Sequence, residues 1–118
     1  MRELTSHKVD GLNEKLRIIV ADEPGAGGAN HHYRINHGAL TDCVINFQNG
    51  PVQESGANGV SNEALLAIVE DRLLRFQAGP YACRENALAL TKIQEAMHWL
   101  HSRTRERIRR GVEGTSTI

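Results

Sequence analysis

At 118 residues the chain has the length of a single domain, with a core of modest size. Formal net charge is zero and aromatic residues make up 4%, which argues against a generic nucleic-acid coat and leaves Leu, Ile, Val and Ala to build the interior. The charge is unevenly placed: residues 1–60 hold five Lys or Arg against seven Asp or Glu, whereas residues 61–110 hold nine against six.

Residues 1–15 are polar, lack a clear period, and read as an irregular lead-in with room for a short strand. Residues 16–21 (LRIIVA) are rich in β-branched side chains and predict a strand with Leu16, Ile18 and Val20 on one face. A glycine-rich connection covers residues 22–30. A second strand is predicted over 31–36, where Tyr33 and Ile35 alternate with polar residues, and a third over 42–48, with Cys43, Ile45 and Phe47 sharing a face. Asn49, Gly50 and Pro51 end it with turn chemistry. Three short strands in succession predict an antiparallel meander, and residues 49–60 read as a linker.

Ser61 has the chemistry of a helix N-cap, with Val60 and Leu65 spaced for a hydrophobic staple. The helix it opens puts Leu66, Val69, Leu73 and Phe76 on one face. Gly79 falls where a left-handed cap belongs, and Pro80 follows it. Residues 84–110 contain neither Gly nor Pro, enough for a helix about 40 Å long. Leu90, Ile93, Met97, Leu100 and Thr104 step by three and four along it. So long a helix exceeds what a small core needs, and part of it is expected to pack on another chain. Its last turns carry Arg103, Arg105, Arg107, Arg109 and Arg110 against Glu106 alone. It ends at Gly111, and the Thr/Ser tail is expected to fray. The fold class is α+β: a small N-terminal antiparallel β-sheet (1–60) followed by a helical hairpin with a long C-terminal helix (61–118), together one compact domain.

No apolar run approaches a membrane span and no signal-peptide pattern opens the chain, so an intracellular protein is expected, with no membrane partner. Cys43 and Cys83 lie outside any CxxC pair and read as reduced thiols. The glycines at 25, 27 and 28 lack dinucleotide-loop spacing, which makes residues 24–30 a hairpin loop. His31, His32 and His37 cluster, but adjacent residues on a strand point to opposite faces, so no metal and no cofactor is expected there. His98 and His101 flank the apolar stripe and suit an interface. Ser102, Thr104 and Cys83 show no nucleophile–base arrangement, so catalysis is not expected. Arg103 and Arg107, four apart on one face, match the bidentate geometry of phosphate; a solvated cationic helix end explains them equally well.

Residues 62–114 carry Asp71-Arg-Leu-Leu-Arg-Phe-Gln-Ala-Gly-Pro80, then Cys83-Arg-Glu-Asn-Ala-Leu-Ala-Leu90, Thr91-Lys-Ile-Gln-Glu-Ala-Met97, Arg103-Thr104 and Gly111-Val-Glu-Gly114. This stretch resembles the helical hairpin shared by phage sponge proteins that counter Thoeris defence and those that counter CBASS. The β-rich segment ahead of it makes the layout more similar to the Thoeris sponges. The resemblance implies non-catalytic sequestration of a cyclic ADP-ribose isomer in the cytoplasm of the infected bacterial host, the two riboses of the ligand being joined by a glycosidic bond. Its implied ligand-binding residues are Phe76, to stack on adenine, Asn86, to bond base or ribose, and Arg103 and Arg107, to neutralise the pyrophosphate. Arg84 matches a phosphate-binding arginine of the CBASS-type hairpin, which implies a second site for cyclic di- or trinucleotides.

Asn86 and Arg103 are seventeen residues apart, about 25 Å along one helix. A dinucleotide-sized ligand does not span that easily within one chain. Antiparallel pairing of two long helices would bring Phe76 and Asn86 of one protomer to Arg103 and Arg107 of its partner, giving a homodimer with two composite sites, which can assemble further into a hexamer as a trimer of dimers. Two alternatives stand beside this reading. One is an enzyme degrading the signal, with His98 or His101 as its acid or base. The other is a DNA- or RNA-binding helical dimer, which zero net charge disfavours.

Overall fold

The computed structural model describes residues 1–38 and 42–118, which divide into two units, Met1–Val60 and Ser61–Ile118. The first unit holds a four-stranded antiparallel sheet in sequential order: β1 (Arg2–Leu4), β2 (Arg17–Val20), β3 (His32–Asn36) and β4 (Cys43–Asn46). The sheet therefore has one strand more than the expected meander. Strand β1 pairs Arg2 with Val20 and Leu4 with Ile18. Three residues with a single aliphatic member are too short to show alternation, which is why the lead-in looked shapeless. That lead-in also contains a helical turn, α1 (Gly11–Lys15), whose first turn is capped by the Asp10 carboxylate accepting from the Asn13 N–H at 3.1 Å.

The register places Val20, Tyr33 and Ile45 in one cross-strand row and Ile18, Ile35 and Cys43 in another. Rows two residues apart share a face, so the aliphatic side chains of adjacent strands meet. Val20 is 1% exposed and is the one buried hydrophobic residue among those described. Phe47, just past β4, meets Tyr33 edge to face with ring centroids 5.6 Å apart.

Residues 49–60 depart from the expected linker. Helix α2 (Val52–Ser55) occupies part of the segment, and the Gln48 side chain ties it down by donating to the carbonyls of Gly50 and Gly56 while accepting from the Asn58 N–H. Val60 then pairs in parallel with Phe47. Gly59 makes this approach feasible: a Cβ there would lie 2.4 Å from the Phe47 carbonyl carbon.

The second unit is a hairpin of α3 (Asn62–Gln77) packed on α4 (Arg84–Arg109). Ser61 caps α3 as expected, its Oγ accepting from the Ala64 N–H at 3.1 Å. Of the expected α3 face, Leu66, Leu73 and Phe76 are half-buried and Val69 is not. Glu70 is half-buried between Leu66 and Leu73, whereas Val69 is 46% exposed. The series 66–69–73–76 and 66–70–73–77 both step by three and four, and the packed face takes members of each. Nor does Gly79 adopt the left-handed conformation expected of it. The turn is held by Gln77 instead, whose side chain donates to the Cys83 carbonyl at 3.1 Å and accepts from the Cys83 N–H at 3.0 Å.

Helix α4 matches its predicted stripe: Leu90, Ile93, Met97, Leu100 and Thr104 are half-buried, and Asn86 and Arg107 extend that line at either end. It closes with a Schellman motif, Val112 N–H to Arg107 O and Gly111 N–H to Ile108 O, with Gly111 at φ +74°. No helix among the described residues is long and apolar enough to cross a membrane.

Candidate functional site: the two ends of the hairpin

The turn end is organised by the Gln77 clamp, which brings the last turn of α3 beside the first turn of α4. Phe76 is half-buried there, with the Arg72 guanidinium carbon 5.1 Å from its ring centroid. The cation lies over one face of the ring. Helix α4 begins with Cys83 as its cap, the thiol sulfur accepting from the Asn86 N–H at 3.4 Å. Asn86 is half-buried, and its amide side chain makes no hydrogen bond to the described residues, so its donor and acceptor are both available. Arg84 is the first residue of α4, exposed, and without a side-chain partner among the described residues.

At the other end the five arginines are not equivalent. Arg109 grips Glu106 through two bonds, Nε to Oε2 at 3.0 Å and Nη2 to Oε1 at 2.6 Å. This pair holds the Glu106 carboxyl below the usual carboxylate range and raises Arg109 in turn. Arg110 donates to the Ile118 carbonyl at 2.6 Å. Arg107, at 8% exposure, is buried beneath the tail, which is folded back on the helix end in place of the frayed segment expected. Arg103 is exposed and makes no side-chain hydrogen bond or ion pair among the described residues. Arg103, Glu106, Arg107 and Arg110 line one open groove of about 340 Å³ together with residues 115–118. Such a groove suits an anion, with Arg103 as its accessible cation.

The four expected ligand-binding residues therefore fall into two pairs at opposite ends of α4. Sequence reasoning missed Arg72 and Glu113. The i, i+4 spacing of Arg72 and Phe76 was available as a signal. Glu113 pairs with Arg107 at 3.2 Å across the turn that ends α4, and linear spacing does not announce such a partner.

His31 and His32 are not held on opposite faces as expected. His31 precedes β3, so strand alternation does not separate it from His32. Both line one depression on the sheet unit with Asp22, Asn46 and Asn58. His32 Nδ1 pairs with Asn46 Oδ1, and His31 Nε2 with the Ala26 carbonyl. The His31 backbone N–H, bonded to Asp22 at 2.9 Å, holds that carboxyl below its ordinary value. No group of three His, Cys, Asp or Glu placed for a metal ion occurs among the described residues. Cys43 and Cys83 are free and exposed. His98 lies against Trp99, ring centroids 5.2 Å apart, on the outer side of α4.

Comparison with known proteins converges on the same hairpin. The model of the Acb2/Tad1 hairpin domain matches residues 40–105, more than half of the chain. The chain is also 52% identical over 91 residues to a protein of Bacillus phage SBSphiJ7 named Thoeris anti-defense 1. That alignment covers 77% of this chain and 64% of the phage protein, so the chain spans less than two-thirds of its relative's length. A hairpin clamped at its turn, a long helix with an arginine-rich end and a sequence match over most of both helices lead to one assignment: the chain belongs to the Acb2/Tad1 hairpin-domain family.

Proposed function

We propose that this protein acts in the cytoplasm of an infected bacterium as a phage anti-defence sponge, binding a cyclic ADP-ribose isomer without turning it over. The observation that carries the reading is the division of labour along α4. A half-buried aromatic ring and an unengaged amide sit at the turn end, and an unengaged guanidinium sits at the other end, about 25 Å away. Phe76 takes the adenine and Asn86 its polar edge, while Arg103, with Arg107 behind it, takes the pyrophosphate. Antiparallel pairing of two α4 helices, across what α3 leaves uncovered of the Leu90, Ile93, Met97 and Leu100 stripe, completes two composite sites in a homodimer. Such dimers can assemble further as a hexamer. Arg84, exposed at the start of α4, is the residue on which a second site for cyclic di- or trinucleotides would turn.

A sponge lowers the free signal by mass action, so it needs affinity and copy number, not turnover. The test is to saturate the protein with glycosidic cyclic ADP-ribose, remove free ligand, heat-denature the complex and weigh what is released. Intact ligand, about one per chain, supports sequestration. A hydrolysed product overturns it in favour of an enzyme.

A further inference from the structure

A guanidinium has five N–H donors in a planar fork, and it holds phosphate best through two parallel N–H groups on one edge. Arg107 has no such edge open. Its Nε donates to Glu113 Oε2 at 3.2 Å, its Nη1 to the Thr117 carbonyl at 2.7 Å, and its Nη2 to the carbonyls of Val112 and Thr115 at 3.0 and 3.1 Å. Both nitrogens of the Nε–Nη2 edge and both of the Nη1–Nη2 edge are engaged. A single N–H on Nη1 is left over. The segment supplying these oxygens is shaped to do so: Gly111 and Gly114 turn it back with φ of +74° and +79°, and the Thr115 N–H closes on the Val112 carbonyl at 3.1 Å. Arg103, four residues earlier, is unencumbered.

We propose that residues 112–118 form a displaceable strap that competes with phosphate for Arg107, which makes Glu113 and Gly114 affinity-setting positions of the anion groove. The proposal rests on the reading that this helix end receives an anion. The strap surrounds the buried guanidinium with four oxygens, much as a phosphate would, and spares it an unpaired burial. An arriving pyrophosphate meets Arg103 first and gains a bidentate hold on Arg107 only as the strap lifts. Apparent affinity is then the intrinsic affinity multiplied by the fraction of molecules whose strap is already off.

The probe is inorganic pyrophosphate titrated into the full chain and followed by calorimetry and by the amide resonances of Thr115 and Thr117. Two variants loosen the strap in different ways. Glu113→Gln removes a charged acceptor, and Gly114→Val forces a β-branched residue into a left-handed φ without changing charge. The expected results are movement of both amides toward unstructured values on binding, and about three- to tenfold tighter binding in both variants. Pyrophosphate bound with the strap amides unmoved overturns the proposal. So does a gain confined to Glu113→Gln, which would assign the effect to the lost charge, and so does an absence of pyrophosphate binding. The sponge reading is judged separately, on glycosidic cyclic ADP-ribose in the same samples.

Discussion

Alanine substitution at Arg103 and at Arg107 separates two residues that the sequence presents as a matched pair. Arg103 is exposed and unbonded, so Arg103→Ala leaves thermal stability within about 0.5 kcal/mol of wild type. Arg107 is 8% exposed and makes four hydrogen bonds to the strap. The bond to Glu113, whose side chain is 41% exposed, counts near the low end of surface ion pairs, about 0–1 kcal/mol. The three bonds to carbonyls are worth about 0.5–1.5 kcal/mol each, less what water returns to the freed oxygens. A net loss of about 2 kcal/mol follows, which for a unit this small lowers the melting temperature by on the order of 10 °C. Ligand-free melts by circular dichroism, with hydrogen exchange at the Thr115 amide, measure both effects. An Arg107→Ala protein that melts with Arg103→Ala and keeps its Thr115 amide protected would refute the reasoning, because the strap would then owe nothing to the arginine.

Two glycines make opposite predictions. Gly59→Ala drives a Cβ into the backbone at Phe47 and costs about 1–3 kcal/mol, whereas Gly79→Ala places its Cβ 3.6 Å from the Arg75 carbonyl oxygen at an ordinary φ and is tolerated or slightly stabilising; urea midpoints rank them. Asp22 sets an acid-side dependence. Its folded carboxyl lies below the ordinary value, so its contribution is fully present above the unfolded aspartate range near ~4 and is lost as pH falls through the folded value. The melting difference between wild type and Asp22→Asn is therefore widest at neutral pH and narrows in acid, and a difference that widens in acid would contradict this.

Much of the helical hairpin was legible because its signals are local. The Ser61 cap, the α4 stripe and the Gly111 stop each depend on residues within one or two turns. What escaped depends on contacts distant in sequence or on competing periods of the same helix. Strand β1 exists because Arg2–Leu4 finds an edge on β2, and nothing within three residues foretells that. On α3, Glu70 is half-buried and Val69 exposed, because two series share one spacing and hydrophobicity alone does not choose between them. The candidate site divides in the same way. Arg103 and Arg107 follow from i, i+4 geometry, but the burial of Arg107 follows from a strap that reads as a polar tail. Phe76, Asn86 and Arg84 came from family likeness; no pattern in the residues themselves singles them out.

Whether each nucleotide site is assembled from opposite ends of two antiparallel hairpins is decided by mixing defective protomers. Phe76→Ala/Asn86→Ala chains and Arg103→Ala chains, each unable to bind glycosidic cyclic ADP-ribose tightly, are co-refolded in equal amounts and titrated calorimetrically. A composite site predicts that mixed dimers regain one intact site each, restoring about a quarter of wild-type capacity at wild-type affinity under random pairing. A mixture as inert as its two components would rule out sites shared between protomers.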